Sequence, residues 1–411
     1  MSLASLMRAE AELLLPTYER NPVLLTRGRG LYLYDSRGRR YLDFLSGIGV
    51  NALGYRHPAI EKVLSQQAKK LIHVSNLFFH PYQAELAKRL TRMSALARVF
   101  FCNSGTEAWE GALKLARAYA HRQNRNGHKG KWRMLALDNS FHGRTFGSLA
   151  TTGQRKYRTP FAPLLPGINF VAFNDCLDLQ RQFNGSVCAI CLETIQGEGG
   201  IRPVSREFLR IARQLTKKHD ALLVIDEIQC GLGRTGRPFA YQHYGIRPDI
   251  VTVAKPLAGG LPLGAILTTN KVARCMQPGL HGSTFGGGPL SCAVALEFLQ
   301  QTEKLLGHIR LMGEYFRAQL EELANKHGGQ VRGMGLMLAW ALDSPDLAKA
   351  VVRRLLARGI LINRTNETAL RFLPPYVIEK RHVDQVTEEL DRALGELVRA
   401  PRSAKGARSR T

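Results

Sequence analysis

The turn 103–107 (NSGTE) joins an apolar run to a helical pattern, and its residue types suit the binding of an anion. Ser104 and Glu107 have the spacing of a capping box, which marks the start of a helix. Helix starts present unpaired N–H groups and the positive end of a dipole, and both favour a phosphate. Gly105 has no side chain, so an anion can approach the backbone closely. An ordinary helix cap explains the same residues. The turn alone therefore does not distinguish a phosphate-binding site from a cap.

Two charged residues close apolar runs farther along the chain: Asp226 follows 221–225 and Lys255 follows 250–254. A lysine at the end of a buried strand is disfavoured unless it is paired or reactive. A desolvated amine with a lowered pKa suits imine formation. The carboxylate is usually a turn or cap residue, but it also suits a pyridine nitrogen that must stay protonated so that the ring accepts electrons. A phosphate turn, a carboxylate and a lysine in this order favour a pyridoxal 5′-phosphate site.

The elements that position these residues follow an α/β pattern. From about residue 97 to 300, short apolar runs alternate with helical stretches, which predicts a large domain with a mostly parallel sheet covered by helices on both faces. Ligands bind beyond the carboxyl ends of such strands, so the polar residues there should converge. The predicted strands are Val99–Cys102, Met134–Leu137, Val187–Leu192, Ala221–Ile225, Ile250–Val253 and Gly264–Thr268.

The two ends of the chain predict a smaller α+β domain. Residues 30–43 indicate a hairpin with its turn at 35–38. After Leu305 the pattern indicates a long amphipathic helix, strands near 335–340 and 369–373, and helices near 348–358 and 383–400. We therefore expect 1–60 and 306–400 to form the small domain and 61–305 the large, cofactor-binding domain. Residues 401–411 are expected to be a basic disordered tail, because they can bury little apolar surface.

The formal charge of +25 is unusual for a chain of 411 residues. Basic residues cluster at 122–133 and 399–410, in segments that we interpret as solvated and mobile. Neither cluster interleaves the aromatic residues of a platform for single-stranded nucleic acid. The charge therefore favours steering of anionic substrates over specific binding of nucleic acid. A basic nucleic-acid-binding protein on the same scaffold remains a distant alternative.

Cysteine usage and hydropathy indicate the compartment. Seven cysteines are an odd number scattered through a large chain, which favours reduced thiols over a disulfide framework. Cys188 and Cys191 form a C-x-x-C spacing inside an apolar run, and we assign them no metal or redox role; no metal site is predicted. No window approaches the roughly 18 apolar residues of a membrane span. The expectation is a cytoplasmic protein without a membrane partner.

From about Tyr18 to Leu397 the chain resembles the class III aminotransferases of fold type I, and within that class most closely those that act on N-acetylornithine. The resemblance implies a ping-pong cycle, between the pyridoxal and pyridoxamine forms of the cofactor, that moves the δ-amino group of N-acetylornithine to 2-oxoglutarate in arginine biosynthesis. It also implies a homodimer with shared active sites. The matching stretches are 41–55, 73–80, 101–108, 140–145, 193–200, 225–229, 231–236, 254–260, 281–288 and 370–375.

The resemblance implies a role for each matching residue. Lys255 is the Schiff-base lysine and moves the proton, and Asp226 pairs with the ring nitrogen; these two are the predicted catalytic residues. Phe141 stacks on the ring, and Gln229 contacts the phenolic oxygen. Thr284 comes from the partner subunit. The full predicted cofactor-binding set is Gly105, Thr106, Phe141, Asp226, Glu227, Gln229, Lys255 and Thr284.

Substrate carboxylates call for arginines, because a guanidinium holds a carboxylate with two parallel hydrogen bonds. The resemblance assigns Arg144 to the carboxylate of the ω-amino substrate and Arg371 to the α-carboxylate of glutamate. Glu198 pairs with Arg371 while the first substrate is bound, and Ser283 is a further substrate contact. Other amino donors remain open: ornithine, succinylornithine, 4-aminobutyrate or an acylated lysine precursor. A cofactor-dependent aminomutase or decarboxylase is a further alternative.

Four residues depart from the family pattern: Trp109, Gly288, Cys230 and Pro256. Trp109 stands where a smaller polar residue is usual, and we expect it to alter the packing behind the phosphate turn. Pro256 directly follows the lysine and is expected to restrict the backbone of Lys255 to extended geometry. None of the four removes a catalytic group.

Overall fold

The computed structural model describes residues 2–125 and 130–399. It contains 17 strands and 13 α-helices within these ranges. In chain order they are α1 (Leu3–Leu13), β1 (Leu25–Arg29), β2 (Tyr32–Asp35), β3 (Arg40–Asp43), α2 (Ser46–Gly49), α3 (Pro58–Ala68), α4 (Pro81–Ser94), β4 (Arg98–Cys102), α5 (Gly105–Arg125), β5 (Arg133–Leu137), α6 (Phe146–Ala150), α7 (Arg155–Arg158), β6 (Ile168–Val171), α8 (Cys176–Gln182), β7 (Val187–Glu193), β8 (Ile195–Gln196), β9 (Arg202–Pro203), α9 (Arg206–Lys218), β10 (Leu222–Asp226), β11 (Ile250–Val253), β12 (Gly264–Thr268), α10 (Asn270–Ala273), α11 (Pro289–His327), β13 (Gln330–Met334), β14 (Met337–Ala341), α12 (Pro345–Ala357), β15 (Ile360–Leu361), β16 (Asn363–Thr365), β17 (Ala369–Phe372) and α13 (Lys380–Arg399).

A seven-stranded sheet in the order β4-β12-β11-β10-β7-β5-β6 forms the centre of the molecule. All six predicted strands are present in it, and β6 is an additional edge strand. Strands β7 and β10 are buried along their whole length. Strands covered on both faces are apolar throughout instead of alternating, which is why the apolar runs predicted them. The α/β fold class is confirmed.

One strand of this sheet, β12, runs opposite to the others and pairs antiparallel with both β11 and β4. After β11 the chain makes a short 3₁₀ turn at Lys255–Leu257 and soon returns as β12. A parallel return would need a crossover of a dozen or more residues. This short connection places Lys255 at the carboxyl end of β11, where a parallel sheet binds its ligands.

Helices cover both faces of the sheet, as predicted. On one face, α5 packs in a buried cluster that includes Trp109 and Val224. On the other face, α4 and α9 pack in a cluster that includes Phe208, Leu223 and Ile225. Neighbouring residues of β10 belong to different clusters because successive strand side chains point to opposite faces.

The ends of the chain meet in a second sheet, of order β1-β2-β3-β15. Its strand β15 comes from the C-terminal region and pairs parallel with β3, with Ile360 opposite Leu42. The predicted hairpin is present as β2 and β3, which pair antiparallel. A third sheet, β13-β14-β17-β16, contains the predicted strands near 335–340 and 369–373. Helix α11 runs without a break through the predicted domain boundary at 305/306, so both regions share it.

Lys131 differs from the expectation of a solvated basic loop, because its side chain is buried. Its Nζ donates to the carbonyl oxygens of His219 (2.5 Å) and Asp220 (2.9 Å). These residues directly follow α9, where terminal carbonyls lack partners within the helix. The ammonium group thus satisfies a helix end. Lys129 of the same cluster and the predicted tail 401–411 lie outside the described residues.

Across 2–125 and 130–399, no helix is long and apolar enough to span a membrane.

Candidate active site

A cavity of about 330 Å³ opens at the carboxyl ends of the parallel strands. That volume lies within the usual range of sites for small ligands. The sequence-predicted residues that line it are Gly105, Thr106, Phe141, Glu198, Asp226, Gln229 and Lys255. These residues come from five separate stretches of the chain, and the sheet brings them together as predicted.

The phosphate turn forms one half of the capping box that its spacing predicts, because the glutamate side chain accepts from the residue before the N-cap and not from the N-cap itself. Ser104 Oγ accepts from the backbone N–H of Glu107 (3.2 Å), and Glu107 Oε2 accepts from the N–H of Asn103 (2.5 Å). Helix α5 therefore begins at Gly105 with its first N–H groups at the cavity. A Cβ atom on Gly105 would lie 2.9 Å from Cγ2 of Ile228, so only glycine fits between the helix start and that wall.

Lys255 lines the cavity at the end of β11. Burial lowers the pKa of its amine, against the opposing effects of Asp226 and Glu198. A lowered pKa increases the fraction of neutral, nucleophilic amine. The expected extended backbone is wrong: Lys255 has a φ of 20° and opens the 3₁₀ turn. The turn is closed by the N–H of Leu257, which donates to the Ala254 carbonyl (2.8 Å) and overrides the preference set by Pro256.

Asp226 is held on both of its carboxylate oxygens. Its Oδ1 accepts from the N–H of Ile228 (3.0 Å), and its Oδ2 lies 2.8 Å from Nδ1 of His142. His142 also lines the cavity, although sequence reasoning gave it no role. Its neighbour Phe141 is a predicted cofactor contact from the same stretch, 140–145. That adjacency is the sequence feature from which a role for His142 could have been predicted.

Glu193 is a second carboxyl group that sequence reasoning left without a role. It ends β7 directly opposite Asp226 in the register of β10. Its oxygens accept from the N–H groups of Phe141 (3.0 Å) and Gly197 (2.8 Å). Burial, together with the neighbouring Asp226, raises the pKa of Glu193 to about 8. Glu193 therefore fixes two cavity segments, one with Phe141 and one leading to Glu198.

Glu198 and Arg371 form an ion pair beside the lysine, with 2.5 Å between Oε1 and Nη1. The arginine side chain is 1% exposed and the glutamate 26%. Burial alone would raise the pKa of Glu198, but the Arg371 guanidinium holds it below the usual value. Arg371 also donates to Asn363 (3.1 Å) and lies 3.4 Å from the amide oxygen of Gln229. The structure places the two residues in contact, and their pairing while the first substrate is bound stays a prediction.

Arg144 is exposed and stands at the side of the cavity. Its guanidinium carbon lies 5.4 Å from the ring centre of Phe141 and 4.0 Å from that of Tyr157. Such cation–π contacts fix the plane of a guanidinium while leaving its N–H groups free for a ligand. Tyr157 was not selected from the sequence, because nothing in its local pattern marks it.

Five predicted site residues are not part of the cavity lining: Arg144 and Arg371, which lie beside it, and Glu227, Ser283 and Thr284. Glu227 points away from it: its carboxylate accepts from the N–H groups of Ala240 and Tyr241 (both 2.8 Å), and its pKa is raised by burial to about 7. A strand end turns neighbouring side chains to opposite sides, so Asp226 and Glu227 do not share a ligand. Ser283 Oγ accepts from the side chain of Asn103 (3.1 Å), and Thr284 is exposed.

The remaining departures also lie outside the cavity. Gly288 caps the start of α11. Cys230 is buried, with its sulfur 3.4 Å from Thr194 Oγ1. Trp109 is buried behind the phosphate turn, as expected, and stacks on His142. Within the described ranges, no group of three or more His, Cys, Asp or Glu side chains is arranged to hold a metal ion.

The cavity fits pyridoxal 5′-phosphate in the chemistry of its donors. The start of α5 suits the phosphate, and the Lys255 amine suits the aldehyde. The Asp226 carboxylate and the Gln229 amide suit the ring nitrogen and the phenolic oxygen. Phe141 and Ile228 supply apolar walls for a flat ring.

Comparison with known proteins agrees with this chemistry. A family model described as aminotransferase class-III matches residues 15–394. An acetylornithine aminotransferase of Aquifex aeolicus is 46% identical over 93% of this chain and 99% of its own length. The ornithine aminotransferase structure of Toxoplasma gondii matches with a TM-score of 0.91 at 31% identity, covering 97% of this chain and 96% of that one. The N-acetylornithine aminotransferase structure of Stenotrophomonas maltophilia matches with a TM-score of 0.81 at 34% identity, covering 95% and 99%. The chain belongs to the class III aminotransferases, which use pyridoxal 5′-phosphate.

Proposed function

We propose that this protein transfers the δ-amino group of N-acetylornithine to 2-oxoglutarate, giving N-acetylglutamate semialdehyde and glutamate in arginine biosynthesis. The observation that carries the proposal is the Glu198–Arg371 pair beside Lys255. A buried arginine with a displaceable counter-ion suits an enzyme whose two substrates place their carboxylates differently. The 46% identity to an acetylornithine aminotransferase supports the same assignment.

The residues of the cavity divide the work between the two half-reactions. With N-acetylornithine, Arg144 holds the carboxylate, and Glu198 stays on Arg371 and neutralises it. With 2-oxoglutarate or glutamate, the substrate carboxylate replaces Glu198 on Arg371. The positive charge of Arg371 thus has a carboxylate partner in both half-reactions, which avoids an unpaired buried guanidinium.

Chemistry at the reacting carbon depends on Lys255 and Asp226. Bound pyridoxal 5′-phosphate supplies a carbonyl carbon that takes up the amino group and a ring that stabilises negative charge. Lys255 Nζ would take a proton from the substrate carbon that bears the amino group. It would then give this proton to the carbonyl-derived carbon of the cofactor. The Asp226 carboxylate keeps a proton on the ring nitrogen, and His142 and Ile228 hold that carboxylate in place.

We further propose that the site is completed by a second copy of the chain. Thr284 is exposed, so its predicted cofactor contact requires another subunit. Its neighbour Phe285 is 67% exposed, and Phe79 is fully exposed. Large apolar side chains exposed together favour an interface between proteins.

Free ornithine is the second candidate donor, because the Toxoplasma ornithine aminotransferase shares the fold with a TM-score of 0.91. The two donors differ by an acetyl group on the α-nitrogen, which would lie in the part of the site near 47–50 and Tyr18. Val50 lines the cavity and Tyr18 is exposed. A small group in a pocket changes discrimination by about 1–3 kcal/mol, so specificity must be measured.

We expect N-acetylornithine to have a kcat/KM at least about tenfold higher than that of ornithine. The measurement is the absorbance of the cofactor-loaded protein after each amine is added without a keto acid. N-acetylornithine should convert the spectrum to that of the pyridoxamine form, and 2-oxoglutarate should restore it. Equal or better use of ornithine would reject the proposed donor. Repeated turnover of the amine with no keto acid present would instead indicate an aminomutase or a decarboxylase.

Glu198→Gln is expected to affect the two half-reactions differently. With N-acetylornithine, kcat/KM should fall by about 10- to 100-fold, because Arg371 is left buried without its counter-ion. With glutamate, kcat/KM should change by less than about threefold, since that substrate supplies its own carboxylate. The control is Glu303→Gln, which breaks the Arg89–Glu303 pair (2.6 Å), outside the cavity lining. Equal losses in both half-reactions would contradict the switching role.

A further inference from the structure

We propose that Trp109 is a positioning residue of the active site. Its indole fixes the imidazole plane of His142, and His142 in turn fixes the carboxylate of Asp226. The inference rests on the proposed role of Asp226 toward the cofactor. It gives a reason for a tryptophan at a position where the family usually carries a smaller polar residue.

Trp109 is itself rigidly held. The side chain is fully buried, and its Nε1–H donates to Thr151 Oγ1 (2.8 Å). The indole and the imidazole of His142 are stacked with 3.9 Å between ring centres and 7° between planes. A buried indole with its one polar group satisfied has little freedom to tilt. It therefore presents a fixed flat surface to the histidine.

His142 depends on that surface for its orientation. Its side chain is 0% exposed and makes one hydrogen bond, from Nδ1 to Asp226 (2.8 Å). Because the carboxylate only accepts, Nδ1 must carry the proton. Nε2 has no partner among the described residues. With one side-chain hydrogen bond the imidazole can still tilt about its Cα–Cβ and Cβ–Cγ bonds, so the stack with Trp109 is a second restraint on the ring plane.

The position of Trp109 in the chain joins the two ends of the cofactor site. It lies on α5, one turn after the helix start at Gly105 that suits the phosphate. Through His142 it reaches Asp226, which suits the ring nitrogen. A rigid connection between the groups that suit the phosphate and the ring nitrogen would hold both in place before the cofactor binds.

The test replaces Trp109 by methionine, which fills much of the space without a flat face, and by phenylalanine, which keeps one. We expect Trp109→Met to weaken the binding of pyridoxal 5′-phosphate to the apoprotein by about 3- to 10-fold, the size of an aromatic pair's contribution. It should also shift the pH profile of the bound cofactor's absorbance. Trp109→Phe should retain affinity within about threefold, since the stack persists.

Trp340 is the matched control. It is also fully buried and donates from Nε1 to a backbone carbonyl, that of Gly328 (3.0 Å), but it lies in the third sheet and outside the cavity lining. Trp340→Phe should lower Tm and leave cofactor affinity and the pH profile unchanged. A Trp109→Met protein that is only less stable, with normal affinity and a normal pH profile, would overturn the proposal.

A double-mutant comparison tests the route through His142. Cofactor affinity should fall in His142→Asn, and adding Trp109→Met should then change it by less than about twofold. The same loss in both backgrounds would overturn the route, as would normal affinity in His142→Asn. If Trp109→Met does not fold, Trp109→Leu, which also lacks a flat face, takes its place with the same expected loss of affinity. Wild-type protein that binds no pyridoxal 5′-phosphate would reject the proposed function, whereas normal binding with no effect of these variants rejects only this inference.

Discussion

Lys255→Ala is expected to lower kcat with N-acetylornithine and 2-oxoglutarate by at least about 10³-fold, because proton transfer by a positioned group contributes about 10²- to 10⁴-fold. Burial keeps the pKa of this amine below its usual value, so it is available as a base and a nucleophile. The phosphate turn and Asp226 are untouched, and pyridoxal 5′-phosphate should still bind without a covalent bond. Absorbance spectra and single-turnover rates measure both effects.

Lys131→Ala is the matched control, since Lys131 is a buried lysine that lies outside the cavity lining. Its loss removes hydrogen bonds to the end of α9 and should lower Tm while kcat of the folded protein stays normal. A small primary amine added to Lys255→Ala should restore part of the rate, because it supplies the missing group. A kcat within about tenfold of the wild type would mean that another residue moves the proton.

The central strands could be predicted because burial on both faces leaves an unbroken apolar run. β11 and β12 were predicted with their observed bounds, Ile250–Val253 and Gly264–Thr268. The edge strand β6 was missed: it is only partly buried, and Asn169 interrupts its apolar residues. The antiparallel direction of β12 has no periodic signal either. It follows from the shortness of the connection between β11 and β12, which contains the turn Lys255–Leu257. That connection can be recognised as a link between antiparallel strands only once both strands are known.

Residues of the site could be predicted where they follow strands, as Asp226 and Lys255 do. The choice between Asp226 and Glu227 could not come from adjacency, because it depends on which face of the sheet each side chain meets. The contact between His142 and Asp226 joins residues 84 positions apart. It depends on the packing of the 139–145 segment against β10, which no local pattern encodes. Trp109 stood out in the sequence as a departure, but its partner did not.

Charge is distributed across the cavity in opposing pairs. Asp226 and Glu198 raise the pKa of the Lys255 amine, and Arg371 lowers it. The net result is a downward shift because burial dominates. Burial and the neighbouring Asp226 raise the pKa of Glu193, which limits the negative charge beside Asp226. The cavity therefore combines one neutral ion pair, Glu198–Arg371, with one carboxylate, Asp226, and we propose that the first serves substrate exchange and the second the cofactor ring.

Asp226→Asn is expected to lower kcat by about 10²- to 10³-fold, the usual effect of removing one preorganised electrostatic partner of a reacting group. Asparagine has nearly the same shape, and its amide oxygen can still accept from His142 Nδ1 or from the N–H of Ile228. What is lost is the negative charge that keeps a proton on the ring nitrogen. Steady-state kinetics and the absorbance of the bound cofactor between about pH 5 and 9 measure the loss, since a ring nitrogen without its carboxylate gives up its proton more easily.

Asp249→Asn is the matched control for this change. Asp249 directly precedes β11, at the amino end of that strand and away from the cavity. Its carboxylate accepts from the N–H of Leu223 (2.9 Å) and pairs with Arg213 (2.5 Å). Its replacement should reduce stability and leave kcat within about twofold, because the residue lies outside the cavity lining. An Asp226→Asn protein that keeps more than about a tenth of kcat would contradict the electrostatic role. The two variants remove the same charge from opposite ends of neighbouring strands, β10 and β11. A difference between their kcat values therefore reports on the cavity and not on the fold.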